Sequence, residues 1–255
     1  YGDHRDLHAV PTRRSAERES RNAEAGIELG QSTRVDTRVR PSDDALQALA
    51  ARILKARRPV IVTGDEIVKS DALNEAARLA ETLGCPAYQQ SVAYGAHFLS
   101  ESPCYMGPLS RDQKHVRATL DGYDLMIVLG SDPLRMSVYS EVDPLPAGLS
   151  IAQIGLVDWD IAKNYPVEIA LKSDVKQTLN ALTPLLKREG GTVLDKRAQE
   201  GIAALKSKNW TARRAELVTE ITKKKSKAPI DPDWLALKVI EAMPDNAILV
   251  DEGLT

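Results

Sequence analysis

Short apolar runs closed by glycine, set between helix-length amphipathic stretches, constrain this chain more than any other feature. Val60-Ile61-Val62-Thr63 ends in Gly64, and Leu125–Leu129 ends in Gly130. Such runs are too short for buried helices and read as strands covered on both faces. Ser150–Leu156 is a third, Glu168–Leu171 a weaker fourth, and Pro86-Ala87-Tyr88-Gln89 a short strand. Between them lie helices. Ser42 can cap the first, with Asp43 and Asp44 in its opening turn and Leu46, Leu49, Ile53 and Leu54 on one face; it ends near Arg57 and Arg58, before Pro59. Ser70 opens a second, carrying Leu73, Ala76, Ala77, Ala80 and Leu83 and closed by Gly84. A long loop with Gly95, Pro103, Gly107 and Pro108 leads to a helix at Asp112–Leu120, and Ser173 caps another bearing Val175, Leu179, Leu182 and Leu186.

Strands that alternate with helices over connections of this length require crossover units and a mainly parallel sheet. The expected fold is α/β, Rossmann-like and doubly wound, with helices on both faces. Composition agrees: 43% of residues are hydrophobic but only 4% aromatic, and Phe98 is the sole phenylalanine, so the core is aliphatic as parallel sheets require. The net charge of -2 gives no reason to expect nucleic acid or an anionic membrane as partner. No apolar run approaches the roughly 20 residues that span a bilayer. Cys85 and Cys104 have neither disulfide-framework nor metal-ligand spacing, which makes a reducing, cytoplasmic location the default.

Residues 1–40 are crowded with Arg, Asp, Glu and Ser, keep no apolar period, and read as an irregular leader. The central domain is expected over 41–190. After Gly190-Gly191 the character changes: 191–231 reads as a polar helix over Val193–Ile221, the Lys223-Lys224-Lys225 run as a solvated helix end, and Ala228-Pro229 as a linker. Residues 232–255 then supply one helix, the strand Ala247–Val250 and the loop Asp251–Thr255. One helix and one strand cannot bury a core of their own, so they read as the opening of a truncated further domain.

Candidate sites follow from the strand ends. Gly64 and Gly130 close strands at the carboxyl edge of the sheet, where nucleotides bind in such folds, and Asp65 and Ser131 follow them directly. Their backbone amides could approach a pyrophosphate; plain turn geometry explains the glycines equally simply. Asp158, with Asp160, follows the third clear strand, where an acid can accept from ribose hydroxyls or cap a turn. His97 and His115 have no nucleophile in a hydrolase pattern, and neither cysteine has a cue for activation.

Six segments in order resemble the central domain of the thiamine-diphosphate-dependent enzymes that include acetolactate synthase and benzoylformate decarboxylase. They are Arg58–Asp65 (the family's "RPVIVAG" strand), Leu79–Tyr88 ("LAE-LG-PV"), the loop Ser91–Gly107, Tyr123–Gly130 ("ADLVLVLG"), Val157–Pro166 ("IDIDP-EIGKNYP") and Ser173–Lys176 ("GDVK"). The resemblance covers about residues 41–188, and Ile248–Thr255 looks like the opening of the family's third, diphosphate-binding domain. It implies thiamine diphosphate and Mg²⁺ in an intact parent of three domains, a small 2-keto acid as that parent's substrate, and a homo-oligomer, dimer or tetramer. It implies that Gly253, Leu254 and Thr255 touch the cofactor in the parent, and that the missing "GDG" segment and first-domain glutamate leave this chain unable to catalyse alone. Some relatives hold FAD or ADP in this domain; here the frequent "G-x-H-G" is replaced by Gly107-Pro108-Leu109-Ser110. A stand-alone ADP- or FAD-binding module is the alternative. The resemblance also suggests a frame for the leader: codons for Leu7 to Arg18, read one base later, can encode a Ser-Leu-Pro-Gly-Asp segment like the end of the family's first domain, as translation out of frame would produce.

Overall fold

In a computed structural model the described residues are 36, 38–92, 95–134, 136–226, 228–244 and 246–248. The chain divides into two compact units, Tyr1–Thr37 and Arg38–Thr255. Of the first only Asp36 is described, so the expectations for the leader and its reading frame lie outside the described residues. So do those for Leu249, Val250 and the loop with Gly253, Leu254 and Thr255.

The second unit is built on a six-stranded, all-parallel sheet. Its strands are β1 (Pro59–Thr63), β2 (Ala87–Gln89), β3 (Tyr105–Pro108), β4 (Leu125–Leu129), β5 (Ser150–Gly155) and β6 (Ile169–Lys172). Their spatial order is β3-β2-β1-β4-β5-β6, with every neighbouring pair parallel. The doubly wound α/β expectation is met.

Alternation along each strand divides the core in two. Ile61, Leu125, Ile127, Leu129, Ala152 and Ile154 face one side, where they meet α1 (Asp43–Lys55), α3 (Leu73–Leu83) and α5 (Val175–Leu205). Val60, Val62, Met126, Val128 and Ile151 face the other, against Val116 and Leu120 of α4 (Gln113–Leu120). All five residues of β1 and of β4 are buried, which is why these strands are apolar throughout rather than alternating. Phe98 stacks on Tyr105 with ring centroids 5.6 Å apart, so the few aromatics gather at one edge of the core.

Several local expectations need correction. Ser42 does cap α1, accepting from Ala45 N, but Ser70 does not open α3. It ends a short extra helix, α2 (Glu66–Lys69), with its hydroxyl donating to Glu66 O at 2.6 Å, and α3 begins three residues later, at Leu73, without a side-chain cap. The cap of α5 is Asp174, which accepts from Gln177 N at 2.8 Å; Ser173 is fully buried and bonded to the Thr178 hydroxyl. The expected long loop contains β3, an edge strand. The helix expected to stop near Gly190 continues through a kink at Gly191 (φ 49°, ψ -148°) to Leu205. The polar helix expected over Val193–Ile221 is therefore two pieces, broken at 206–209, where Asn209 caps α6 (Trp210–Thr222). A last helix, α7 (Pro232–Ala242), has Pro232 in its first turn and is capped by Asp231.

Candidate functional site

The order β3-β2-β1-β4-β5-β6 reverses direction between β1 and β4, and crevices for ligands open beyond the carboxyl ends of strands at such a switch point. Four of the residues singled out in the sequence converge there: Gly64 and Asp65 after β1, Gly130 and Ser131 after β4. A Cβ on Gly64 would overlap Ser131 Cβ, and one on Gly130, whose φ is +64°, would overlap Glu66 Cβ. Both glycines are thus required by close approach.

Amides on either side of Asp65, and that of Gly130 before Ser131, are used by the fold. Gly64 N donates to Leu129 O (3.0 Å), Glu66 N to Gly130 O (3.0 Å), Ile67 N to Gly64 O (3.1 Å) and Gly130 N to Ile154 O (2.7 Å). The first turn after β1 is stitched across to β4, and β4 to β5.

Ser131 and Asp65 share the crevice with side chains that were not candidate site residues in the sequence. Gln90, fully buried one residue beyond β2, donates through Nε2 to Asp65 Oδ1 (3.0 Å) and Val92 O (2.7 Å). Ser131 Oγ lies 2.7 Å from Gln90 Oε1. His97 is buried, with Nε2 3.0 Å from the same Asp65 oxygen. Gln153, within β5, donates to Ser131 O (2.9 Å) and Asp160 O (2.8 Å) and accepts from Ala162 N. Asn164 Nδ2 donates to Asp132 Oδ2 at 2.8 Å. Glu66 is also buried, and its carboxylate accepts from Leu156 N (2.7 Å) and Val157 N (3.2 Å), tying α2 to the loop after β5. One of these had a signal: Gln153 is the lone polar residue inside an otherwise apolar strand. Gln90, His97 and Glu66 sit in or beside loops and had none.

Asp158 stands apart, on the 3-10 turn Asp158–Asp160, with its exposed carboxylate 2.7 Å from Lys172 Nζ. Next to it Trp159 is exposed, with Lys163 Nζ 5.0 Å from the ring centroid. His115, the other histidine in this region, is an exposed helix residue 3.2 Å from the capping carboxylate of Asp112. The cysteines are buried; burial pushes the Cys85 thiol far up, and burial with the Glu81 charge pushes Cys104 to about 12. Neither can offer a thiolate near neutral pH.

As they stand these residues offer a diphosphate no open cradle at Gly64, Glu66, Ile67 and Gly130, whose amides serve the fold, and the crevice holds Gln90, Ser131 and Gln153. Among the described residues no group of three or more His, Cys, Asp or Glu side chains could hold a metal ion. No helix among them is long and apolar enough to cross a membrane. What the arrangement can do is join the carboxyl ends of β2, β1, β4 and β5 through side-chain bonds.

Residues 46–182 match the family model described as thiamine pyrophosphate enzyme, central domain. Benzoylformate decarboxylase from Pseudomonas aeruginosa is 32% identical over 160 residues, 63% of this chain and 30% of that protein. Sulfoacetaldehyde acetyltransferase from Rhodobacter capsulatus is 25% identical over 243 residues, 88% of this chain and 40% of that protein. A solved structure from Mycobacterium smegmatis, described as a thiamin diphosphate-dependent enzyme, superposes with a TM-score of 0.57 at 31% identity, covering 62% of this chain and 31% of that one. The chain thus spans well under half the length of each relative.

Proposed function

Since the chain belongs to the thiamine pyrophosphate enzyme family through its central domain, we propose that it works as the non-catalytic scaffold of a thiamine-diphosphate-dependent enzyme acting on a 2-keto acid, as a decarboxylase or an acetolactate synthase-like carboligase. The cofactor supplies the carbanion chemistry in such enzymes; this chain supplies the rigid sheet between the parts that hold it. The observation that carries the reading is the closed switch point. In an open α/β sheet that crevice is the natural ligand site, and here Gln90, Ser131, Asp65 and His97 occupy it with bonds to one another.

Calorimetric titration of the 255-residue chain with ADP and with FAD tests this directly. At physiological ionic strength neither is expected to give a saturable heat, and any weak uptake of ADP that pyrophosphate displaces belongs to a simple oxyanion site; micromolar binding of FAD, or of ADP that pyrophosphate does not displace, would overturn the scaffold reading in favour of a nucleotide-binding module. Carbon dioxide release from benzoylformate by the same chain with thiamine diphosphate and Mg²⁺ is expected to match buffer, and turnover would show that the chain catalyses by itself. Assembly of the parent as a dimer or tetramer belongs to the same proposal, supported by the exposed Leu235, Val239 and Ile240 on α7. A strictly monomeric parent in sedimentation would count against it.

A further inference from the structure

At the opposite, amino-terminal edge of the sheet, a cleft of about 310 Å³ opens beside the starts of β1 and β2. It is lined by Arg57, Arg58, Tyr123, Arg197, Glu200 and Lys208, among others. Its four cationic side chains face one carboxylate, and that carboxylate, Glu200, stands 4.0 Å from Lys196 Nζ on its own helix. Arg58 lies over the Tyr123 ring, 5.6 Å from guanidinium carbon to ring centroid, which holds the charge at the rim.

Arg197 is the distinctive group. Its Nη1 donates to Ala56 O (2.9 Å), just past the carboxyl end of α1. Its Nε and Nη2 are shielded from solvent and make no hydrogen bond. These two nitrogens form one edge of the guanidinium, the edge whose parallel N–H bonds match two oxygens of a phosphate or carboxylate. Buried donors on a cation are rarely left unmade, because desolvating them without a partner is costly. The backbone around Arg197 is fixed: a Cβ on Gly201 would overlap Gly84 O, and one on Gly84 would overlap the Ala198 backbone, so α5 lies against the end of α3 with no room to move.

We propose that this cleft binds a small oxyanion, with a phosphate or carboxylate group taken by the Nε–Nη2 edge of Arg197 after a turn of its terminal torsions, and with Arg57, Arg58 and Lys208 adding charge at the rim. The volume is at the lower end of the roughly 300–1,000 Å³ of small-molecule pockets, which suits a phosphorylated or dicarboxylic metabolite rather than a whole dinucleotide.

The test is calorimetry of the full 255-residue chain at low ionic strength, with pyrophosphate in one arm and malonate in the other. One saturable site is expected in at least one arm, weakening as salt rises, and the tighter arm names the group. Arg197→Lys keeps the charge but lacks the two-pronged edge; it is expected to weaken binding about tenfold or more with little change in thermal midpoint. Lys208→Gln, at the rim, should weaken it less and keeps the test decisive if Arg197→Lys does not fold. Heat in neither arm, or binding that both variants leave unchanged, would overturn the site.

Discussion

Asp124, the residue before β4, accepts from the amides of Arg57 (2.7 Å) and Arg58 (2.9 Å), so one carboxylate fixes the turn between α1 and β1 against the start of the neighbouring strand. Burial raises its pKa, but those amide bonds and the Arg52 charge outweigh burial and hold the carboxyl below its ordinary 3.8. A folded pKa below the unfolded one means that the native state binds this proton less readily. The stability it contributes is present above about pH 4 and is lost as pH falls through the folded value. Asp124→Asn is therefore expected to lower the urea midpoint at pH 7 and to flatten its decline below pH 4. An acid limb as steep as the parent's would place that dependence elsewhere. Gly130 carries a different constraint, since it combines φ of +64° with contact against Glu66. Gly130→Ala must adopt a disfavoured backbone and push Glu66 from its bonds to Leu156 and Val157, at an expected cost of about 2–4 kcal/mol in urea unfolding. A loss under ~1 kcal/mol would mean that α2 can shift freely, and the closed switch point would be softer than its bonds imply.

Among the elements, α5 and α3 meet backbone to backbone through Gly84, Ala198 and Gly201, and this contact ties the part of α5 beyond the Gly191 kink to the sheet. Gly201→Ala should force the helices apart and lower the thermal midpoint markedly, although alanine is the better helix former in isolation. A raised midpoint would show that propensity outweighs the contact. The same contact explains where the sequence misleads. Gly190-Gly191 reads as a helix end by local preference, yet Leu194 and Ala198 bury against the core, and that packing carries the helix across the glycines. The strands β1, β4 and β5 were legible because burial on both faces writes continuous apolar runs. β3 was not: as an edge strand pairing only with β2, Tyr105-Met106-Gly107-Pro108 carries a glycine and a proline that look like loop. At the candidate site the glycines were legible from strand ends alone. The polar plug was not, because Gln90, His97 and Ser131 meet only after the crossovers bring distant segments together.

Across the whole second unit, burial is steeply graded. Val60–Thr63 and Leu125–Leu129 are entirely shielded, whereas α6 and α7 bury only Ile221 and Leu237 and expose Leu217, Leu235, Val239 and Ile240. Apolar contact density sets how much a segment loses by opening alone, so the central strands should open only with the whole fold and the α6–α7 pair should open locally. Hydrogen exchange at neutral pH is expected to show β1, β4 and β5 exchanging at least about a hundredfold more slowly than α6 and α7, with α3 and the first half of α5 close to the strands. Dilution should leave the order unchanged if the gradient belongs to one chain. If instead α6 and α7 prove as protected as β4, and lose that protection on dilution, their apolar faces are covered by a second copy. The pair would then be an interface element rather than a loosely held appendage, because association shields only the surfaces that meet in it.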